Sequence, residues 1–408
     1  MFKVIPPFLV LFLILISCKK ETPVSNEQKE KSDFTHVWSK MVSPSAEFTF
    51  VGQPVLAGDI FIYSQYSEGD LTASMYFVDA KNGKQLGIWN DYYQSTSAGA
   101  NQIVNVSDGI AIVNSYSQRC FYAIDLNTFK TIWKRCEPSF TYSGYFKILN
   151  GYMYVAGNEI YSSDSARAVL LRSPITHPDF EIIEIAKSKG MLNYITNLSV
   201  LDEDGATMAY FRMPARNVTN LSLSKMSLVK FNVNDKKVLW QTDSIEHSYH
   251  RSVGGSELHI DDKYVFLSGY LKIVKCLRQT GEIIWEHNYT PVDNSYLFNT
   301  DIHRFKDLLI YKPYSEEVIA INTSSGNINW VIPDLGFPNY IDVTNTRLKD
   351  HLILPLNGQL IVLNTITGKR KTLDFSENFP KCKVVVDEIR NYLYWQDNYK
   401  VYCYHVDI

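Results

Sequence analysis

The chain has 408 residues, of which 45% are hydrophobic and 13% aromatic, so it is long enough to bury a large apolar core. Its 40 basic and 43 acidic residues give a formal net charge of -3, and this balance argues against a nucleic-acid partner. The six cysteines include no CxxC pair, which weighs against zinc-ribbon and thioredoxin-like sites.

The first predicted element is a secretory signal peptide over residues 1–17. Lys3 precedes an apolar run from Val4 to Ile16, which is too short to span a bilayer comfortably. The run leads into Leu15-Ile16-Ser17-Cys18, which resembles the bacterial lipobox and implies cleavage before Cys18 and lipidation of that residue. A plain secretory signal that happens to contain a cysteine is the alternative.

Residues 18–35 are predicted to form a flexible tether. The segment KKETPVSNEQKEKSDF after Cys18 is nearly free of large apolar side chains and cannot offset the entropy of ordering. Several acyl chains on one cysteine would give stable membrane anchoring. We therefore expect a lipid-anchored protein of the bacterial cell envelope, located at the outer membrane, with a globular body over residues 36–408.

The body contains an internal repeat of an apolar strand, a polar turn and a second apolar strand that ends in tryptophan. An Asp or Asn begins the turn, a glycine follows four residues later, and the tryptophan comes four residues after the glycine. Asx side chains favour turns and glycine accepts a positive φ. The residues that carry the motif are Asp79, Gly83, Trp89, Asp125, Trp133, Trp240, Gly281, Trp285, Gly326, Trp330 and Gly368.

Several positions depart from the motif. Leu277 stands where an Asp or Asn is expected, Phe129 and Lys236 occupy the glycine position, Trp89 stands two positions late, and Thr372 replaces a tryptophan. The first turn residues lie at 79, 125, 232, 277, 322 and 364, with steps of 46, 107, 45, 45 and 42 residues. The step of 107 predicts a hidden copy near residues 168–186. A long insertion follows over about 187–228, in which part, such as MAYFRM, must be the first two strands of the next unit and the rest is a unit-specific elaboration.

The chain ends in KVYCYHVDI, which matches only the first strand of a repeat. The segment FTHVWSK around Trp38 offers the missing second strand from the other end of the body. Eight units of about 47 residues then predict an all-β fold, an eight-bladed β-propeller of four-stranded antiparallel blades closed by pairing of the N-terminal and C-terminal strands. Strands such as KVLW, EIIW and VIAI suggest that both sheet faces are covered.

The repeats resemble those of quinoprotein-type (PQQ-like) β-propellers. The unit count, the lipobox and the size also resemble the propeller lipoproteins of the outer-membrane barrel-assembly machinery, and this resemblance implies an adaptor that works by strand-edge or loop contacts. Quinoprotein dehydrogenases of this architecture are longer, and many carry an adjacent cysteine pair beside the quinone and a calcium site. Because this chain has no Cys-Cys pair, we expect no cofactor and no enzymatic activity.

Other candidate sites are weak. His247 and His250 could hold a metal, but no helix is indicated there, so we predict a solvated loop and no metal site. Cys120 and Cys136 flank a predicted hairpin at equal distances from its turn, which makes them a candidate disulfide, with two buried thiols as the alternative. No nucleophile, base and orienting group show a recognisable spacing, so no catalytic residue is assigned.

The links that follow the tryptophan strands are rich in tyrosine and phenylalanine. In a propeller these links gather on one face, where aromatic side chains could form a binding rim. The alternative is that these rings begin the innermost strands and point into the core. The best rim candidates are Tyr92, Tyr93, Tyr142, Tyr249 and Phe337.

The sequence therefore predicts a non-catalytic scaffold. We expect a monomer that is bound to the membrane through its lipid and to a protein partner such as the outer-membrane assembly machinery. A surface lipoprotein that binds glycans or another extracellular ligand is the alternative, and a PQQ-dependent dehydrogenase is a more distant one.

Overall fold

The computed structural model describes residues 34–41, 54–67, 72–91, 102–115, 119–137, 140–162, 165–187, 189–217, 219, 225–246, 258–268, 272–288, 302–311, 317–332, 346–356, 359–374, 384–396 and 400–408. These residues form strands, turns and bends, and none of them is helical. Within the same ranges, no helix has the length and hydrophobicity that a membrane crossing requires.

The strands form four-stranded antiparallel meanders, which we number as units along the chain. The strands of units 1 to 3 are β2 (Val55–Ala57), β3 (Ile60–Ser67), β4 (Thr72–Asp79) and β5 (Gln85–Trp89); β6 (Gln102–Ser107), β7 (Ile110–Ser115), β8 (Cys120–Asp125) and β9 (Lys130–Cys136); and β10 (Phe140–Leu149), β11 (Tyr152–Ser162), β12 (Ser165–Pro174) and β13 (Glu181–Ala186).

A short strand, β14 (Met191–Asn193), separates unit 3 from unit 4. The strands of units 4 to 6 are β15 (Thr196–Glu203), β16 (Ala206–Asn217), β17 (Lys225–Asn232) and β18 (Lys237–Glu246); β19 (His259–Ile260), β20 (Tyr264–Ser268), β21 (Lys272–Leu277) and β22 (Ile283–Asn288); and β23 (Ile302–Phe305), β24 (Leu308–Tyr311), β25 (Val318–Asn322) and β26 (Ile328–Ile332).

Unit 7 and unit 8 complete the described strands. Unit 7 consists of β27 (Thr346–Leu348), β28 (His351–Leu356), β29 (Gln359–Asn364) and β30 (Arg370–Asp374). Unit 8 takes β31 (Val384–Asp387), β32 (Tyr392–Gln396) and β33 (Lys400–Val406) from the C-terminal end and β1 (Phe34–Met41) from the N-terminal end.

Within unit 8, β1 pairs antiparallel with β33, from Phe34 opposite Val406 to Met41 opposite Lys400. The strand begins two residues before the predicted domain boundary because Phe34 packs into the core between units 7 and 8. The closure of the units into one eight-bladed ring stays a prediction.

The first strand of each unit lies innermost. First strands of neighbouring units contact one another, as β2 contacts β6 and β31, and β10 contacts β6 and β15. The fourth strand is therefore outermost, and its second edge pairs with no other strand among the described residues. Third strands such as β8 and β25 are buried on both faces, because neighbouring units cover both sides.

The expectation of continuous burial is wrong for the outermost strands. Residues of β22 alternate between half-buried and exposed, and Leu239 and Ile284 are both exposed. The reason is that the outermost strand has a neighbouring unit on one face and solvent on the other. In the apolar runs KVLW and EIIW, Leu239 and Ile284 therefore lie outside the core.

Units 3 and 4 are joined into one continuous sheet, unlike the other described units. The hidden copy is present as the antiparallel pair β12 and β13. Within the predicted insertion over 187–228, β15 and β16 are the first and second strands of unit 4, and β16 contains the MAYFRM strand that was expected there. The distinctive part of the insertion is β14, which pairs parallel with β12 and antiparallel with β16, so that one nine-stranded sheet spans both units.

Candidate functional site

The repeated tryptophans join each unit to the next one. The indole N–H of Trp38 donates to the carbonyl of Ala80 at 3.0 Å, that of Trp133 to Ile175 at 2.8 Å, and that of Trp285 to Thr323 at 3.1 Å. The indole N–H of Trp240 donates to the carbonyl of Arg278 at 3.1 Å. Each bond satisfies a polar atom that the large ring would otherwise bury without a partner.

The indole rings pack against the repeated glycines of the next unit. A Cβ added to Gly281 would lie 2.6 Å from Cε3 of Trp240, and one added to Gly83 would lie 2.7 Å from Cε3 of Trp38. Gly326 and Gly368 face Trp285 and Trp330 in the same way. These glycines also have φ between +70° and +76°, a conformation that favours glycine, and the space for a Cβ is smallest at Gly83 and Gly281.

The turn before each glycine is held by its first residue. Oδ1 of Asp79 accepts the backbone N–H of Lys81 at 2.7 Å, and Oδ1 of Asp125 accepts that of Asn127 at 2.7 Å. The backbone carbonyl of Asp79 also accepts the N–H of Gly83 at 2.8 Å. The Asp or Asn of the motif therefore fixes the turn, while the glycine admits the neighbouring ring.

The junction between units 1 and 2 reverses this arrangement. Gly87 of β5 stands opposite Phe77 at the register position that tryptophan takes in other units, and Phe129 takes the glycine position of unit 2. A Cβ on Gly87 would lie 2.3 Å from Cδ2 of Phe129. Trp89, two residues later, donates instead to Oγ1 of Thr131 at 2.8 Å.

A bulge accompanies the tryptophan in the outermost strands. In β22 the register passes from Ile283 to Trp285, so Ile284 has no partner across the ladder, and in β9 Ile132 is left out in the same way. The extra residue lets tryptophan face the next unit and turns the preceding side chain outward.

We call the resulting row of side chains the outer aliphatic belt. Its members lie on the outermost strands of units 1, 2, 4 and 5, each being 41% to 45% exposed: Leu86, Ile132, Leu239 and Ile284. Outermost strands carry unpaired backbone N–H and C=O groups beside these side chains, and such an edge can accept an extended peptide by strand addition. The belt is thus the described surface best suited to binding an extended apolar chain.

Sequence reasoning missed the belt because the motif was interpreted as core. The signal was nonetheless present, since an isoleucine or leucine stands directly before Trp133, Trp240 and Trp285. A residue before a tryptophan in an ordinary strand would face the opposite side of the sheet. Only the outermost position of the strand leaves that opposite side open to solvent.

Most of the predicted aromatic rim lies outside the described residues. This holds for Tyr92, Tyr93, Tyr249 and Phe337, as it does for His247, His250 and Cys18. Tyr142 is described only in its backbone, which lies in the innermost strand β10 opposite Gly157 of β11. Phe140 and Phe146 of the same strand are buried between units 2 and 3.

Cys120 and Cys136 face each other at the ends of β8 and β9 and form a disulfide. Cys276 and Cys403 are buried free thiols, and burial raises the pKa of each to about 12. Among the described residues, no three His, Cys, Asp or Glu side chains are placed to hold a metal ion. The disulfide and the two buried thiols are therefore structural features.

A charged cluster links unit 4 to unit 5 near their turns. Glu203 accepts Nζ of Lys230 at 2.7 Å and a guanidinium nitrogen of Arg278 at 2.8 Å, and the hydroxyl of Tyr210 donates to it as well. Burial favours the neutral carboxyl, but the three donors together lower the pKa of Glu203 below its ordinary value. The cluster ties neighbouring units and leaves no carboxylate prepared for catalysis.

Comparisons with known proteins agree with the propeller architecture. A family model described as outer membrane protein assembly factor BamB matches residues 213–371, from within unit 4 to unit 7. None of the curated proteins matches the chain.

Solved structures resemble most of the chain at low identity. BamB from Moraxella catarrhalis has a TM-score of 0.57 at 13% identity, over 91% of this chain and 99% of that one. Quinohemoprotein alcohol dehydrogenase from Comamonas testosteroni has a TM-score of 0.66 at 11% identity, over 92% and 77%. Saccharomyces cerevisiae Sqt1 has a TM-score of 0.61 at 10% identity, over 91% and 100%.

These matches confirm an all-β fold of the PQQ-like propeller type that resembles BamB. They include a dehydrogenase as well as an assembly factor, so the fold alone does not decide between binding and catalysis.

Proposed function

We propose that the protein is a non-catalytic, lipid-anchored scaffold of the bacterial cell envelope that serves outer-membrane protein assembly in the manner of BamB. Cys18 carries the lipid, residues 19–33 form the tether, and the propeller binds protein partners. The family match over residues 213–371 supports the role, and the lipobox at Leu15 to Cys18 supports the anchor.

The observation that carries the proposal is the outer aliphatic belt beside open strand edges. Segments destined for an outer-membrane barrel alternate apolar and polar residues along each strand. Such a segment could pair its backbone with an outermost strand and place its apolar side chains against Ile132, Leu239 or Ile284. Main-chain bonds would supply affinity without demanding one sequence, as a scaffold for many clients requires.

The dehydrogenase alternative fits the residues poorly. The chain contains no adjacent cysteine pair, and the described residues include no cluster of carboxylates suited to a calcium ion. The disulfide that is present joins a third and an outermost strand, away from the innermost strands. We therefore assign no step to a quinone. The glycan-binding alternative depends on rim residues outside the described ranges and stays a prediction.

The test is crosslinking in intact cells followed by purification of the full-length, membrane-anchored chain and identification of the bound proteins. We expect barrel-assembly components and unfolded outer-membrane proteins. A triple variant Ile132→Lys, Leu239→Lys and Ile284→Lys should lose the unfolded clients.

The matched control adds the same charge at exposed turn positions, with Asn127→Lys, Gln279→Lys and Ser324→Lys, and should keep those clients. Recovery of neither assembly components nor clients by the parent chain would reject the proposal. Equal client recovery by both triple variants would reject the belt as the binding surface.

A further inference from the structure

The direction of β1 determines which face of the molecule lies nearest the tether. Phe34 pairs with Val406 at the end of β33, and the N–H of Val406 donates to the carbonyl of Asn391 at 2.8 Å. Asn391 belongs to the turn between β31 and β32. The chain therefore enters the propeller on the face that carries the turns between first and second strands, which we call the turn face.

Turns of the two neighbouring units, 7 and 1, lie on the same face. Nζ of Lys349, in the turn between β27 and β28 of unit 7, donates to the carbonyl of Ile408 at 3.1 Å. Arg390 of unit 8 pairs with Asp59 in the turn between β2 and β3 of unit 1. The turns of units 7, 8 and 1 thus surround the point where β1 begins.

An isoleucine projects from the centre of this sector. Ile389 is 92% exposed and occupies the tip of the turn between β31 and β32. Oδ1 of Asp387 accepts the backbone N–H groups of Ile389 and Arg390 at 3.0 and 3.1 Å, and the Arg390 guanidinium pairs with Asp387 and Asp59. The turn is held from both sides, so its apolar tip is presented in a fixed place.

The turn between β29 and β30 of unit 7 lies on the same face, because the strands of an antiparallel meander alternate in direction. It repeats the combination of an apolar tip with basic neighbours. Ile366 is 47% exposed, and Lys369 and Arg370 follow it on the exposed side. Lys84 is exposed on the corresponding turn of unit 1. Exposed carboxylates lie in the same sector, among them Asp59, Glu388 and Asp407, and keep its net charge small. Aliphatic tips surrounded by lysine and arginine are typical of surfaces that rest in the headgroup region of a membrane.

The length of the tether agrees with such a contact. The 15 residues 19–33 separate Cys18 from Phe34. As a flexible coil they have a root-mean-square span of about 20 Å. A chain anchored at Cys18 therefore keeps the turn face closer to the bilayer than the opposite face, where the outermost strands end.

We propose that the turn face around unit 8 rests on the phospholipid surface, with Ile389 and Ile366 in the interfacial layer and Lys84 and Lys369 beside lipid phosphates. The proposal rests on the lipid anchor of the proposed function. It leaves the ends of the outermost strands, which precede the aromatic links, directed away from the membrane and open to partners.

The test places a photo-crosslinking amino acid at position 389 of the full-length chain in vesicles of phosphatidylethanolamine and phosphatidylglycerol. The control places it at Ile284, which is exposed on the outermost strand of unit 5. Because Ile389 projects from a turn, its replacement should not disturb folding. We expect lipid adducts at 389 to exceed those at 284 at least fivefold.

The possible outcomes separate the orientation from the anchor. A lipidated chain with equal adducts at both positions, or none at 389, would overturn the orientation alone. A protein adduct at 389 in native membranes, in place of lipid, would overturn it in favour of a protein contact. An unmodified Cys18 in the mass of the membrane-purified chain would overturn the anchor, and the orientation with it.

Discussion

Gly87 and Phe129 face each other across the junction of units 1 and 2 with the roles of ring and glycine exchanged. At four other junctions an outermost-strand tryptophan packs on a turn glycine of the next unit. Here the outermost strand provides the glycine and the turn provides the ring, whose centroid also lies 4.8 Å from that of the tilted Phe77 ring. Each of these junctions holds one aromatic ring against one glycine, but at the junction of units 1 and 2 the ring comes from the turn and not from the outermost strand.

The exchange predicts strong coupling between the two positions. Gly87→Ala alone should lower the free energy of unfolding by about 1–3 kcal/mol, because its Cβ would overlap the Phe129 ring. In a Phe129→Gly background the same change should cost less than about 0.5 kcal/mol. Denaturant unfolding of the four members of the cycle measures the coupling. As a control, Gly87→Ala and Trp285→Phe should be additive within about 0.5 kcal/mol, and a coupling no larger than this in the first cycle would contradict the assignment.

The turn glycines should differ in sensitivity according to their surroundings. Gly281→Ala has to accept a positive φ and a Cβ 2.6 Å from Trp240, so we expect a loss of about 3 kcal/mol or more. Gly205→Ala also meets a positive φ but no atom within 4 Å, and should cost about 1 kcal/mol. Thermal unfolding compares the two variants. Equal losses would show that conformation alone, and not the indole contact, requires glycine at 281.

The N–H groups of the tryptophan indoles should contribute different amounts to the free energy of unfolding. Nε1 of Trp133 donates to Ile175 at 2.8 Å, whereas Nε1 of Trp330 is buried without a hydrogen-bond partner. Trp133→Phe should therefore cost about 1 kcal/mol more than Trp330→Phe, which loses similar ring area but no bond. Chemical denaturation measures both. A larger cost for Trp330→Phe would indicate that its N–H is satisfied in solution.

The disulfide between Cys120 and Cys136 spans 16 residues and should contribute about 3 kcal/mol by restricting the unfolded chain. The double variant Cys120→Ser and Cys136→Ser should lose this amount under oxidising conditions, and reduction of the parent chain should have a similar effect. Cys276 provides the internal control, because burial raises its pKa to about 12. It should resist alkylation at pH 8 in the folded protein and react once the protein unfolds. Rapid modification of Cys276 under native conditions would contradict its placement.

The Glu203 cluster predicts a loss of stability in acid. The pKa of Glu203 is lower in the folded protein than in the unfolded chain, so its contribution is present above the unfolded pKa and disappears as the pH falls through the folded pKa. Glu203→Gln should cost about 2 kcal/mol at pH 7, between exposed and fully buried ion pairs. The difference between parent and variant should shrink below about pH 4, near the ordinary carboxyl pKa. A difference that is constant with pH would exclude the ion pairs as its source.

The sequence was sufficient to predict the strands and turns of each repeat. The spacing of Asp79, Gly83 and their equivalents fixes local hairpins, and such local signals can be seen along the chain. The hidden copy near residues 168–186 followed from the distance between its neighbours. These predictions needed only contacts within one unit.

What the sequence could not provide are relations between units. In the sequence, the exchange of Gly87 and Phe129 appeared only as two separate departures from the motif. The two residues explain each other only through their contact across the junction of units 1 and 2. Lys236 is similar, since unit 3 has no outermost-strand tryptophan to pack on that position, and Lys236 instead pairs with Glu181 at 2.7 Å. The belt was hidden because exposure depends on which strand is outermost.

The pairing of Phe34 with Val406 has a mechanical consequence. In the proposed lipid-anchored protein, a pull on a bound client would act on the hydrogen bonds between β1 and β33. The pull runs along the strands, so the ladder from Phe34 to Met41 would be sheared as a whole and would not open one bond at a time. Resistance to such a force depends on the unfolding barrier and not on equilibrium stability. Under the proposed anchoring, the pairing of a strand from each end of the chain would therefore make the attachment point resistant to tension.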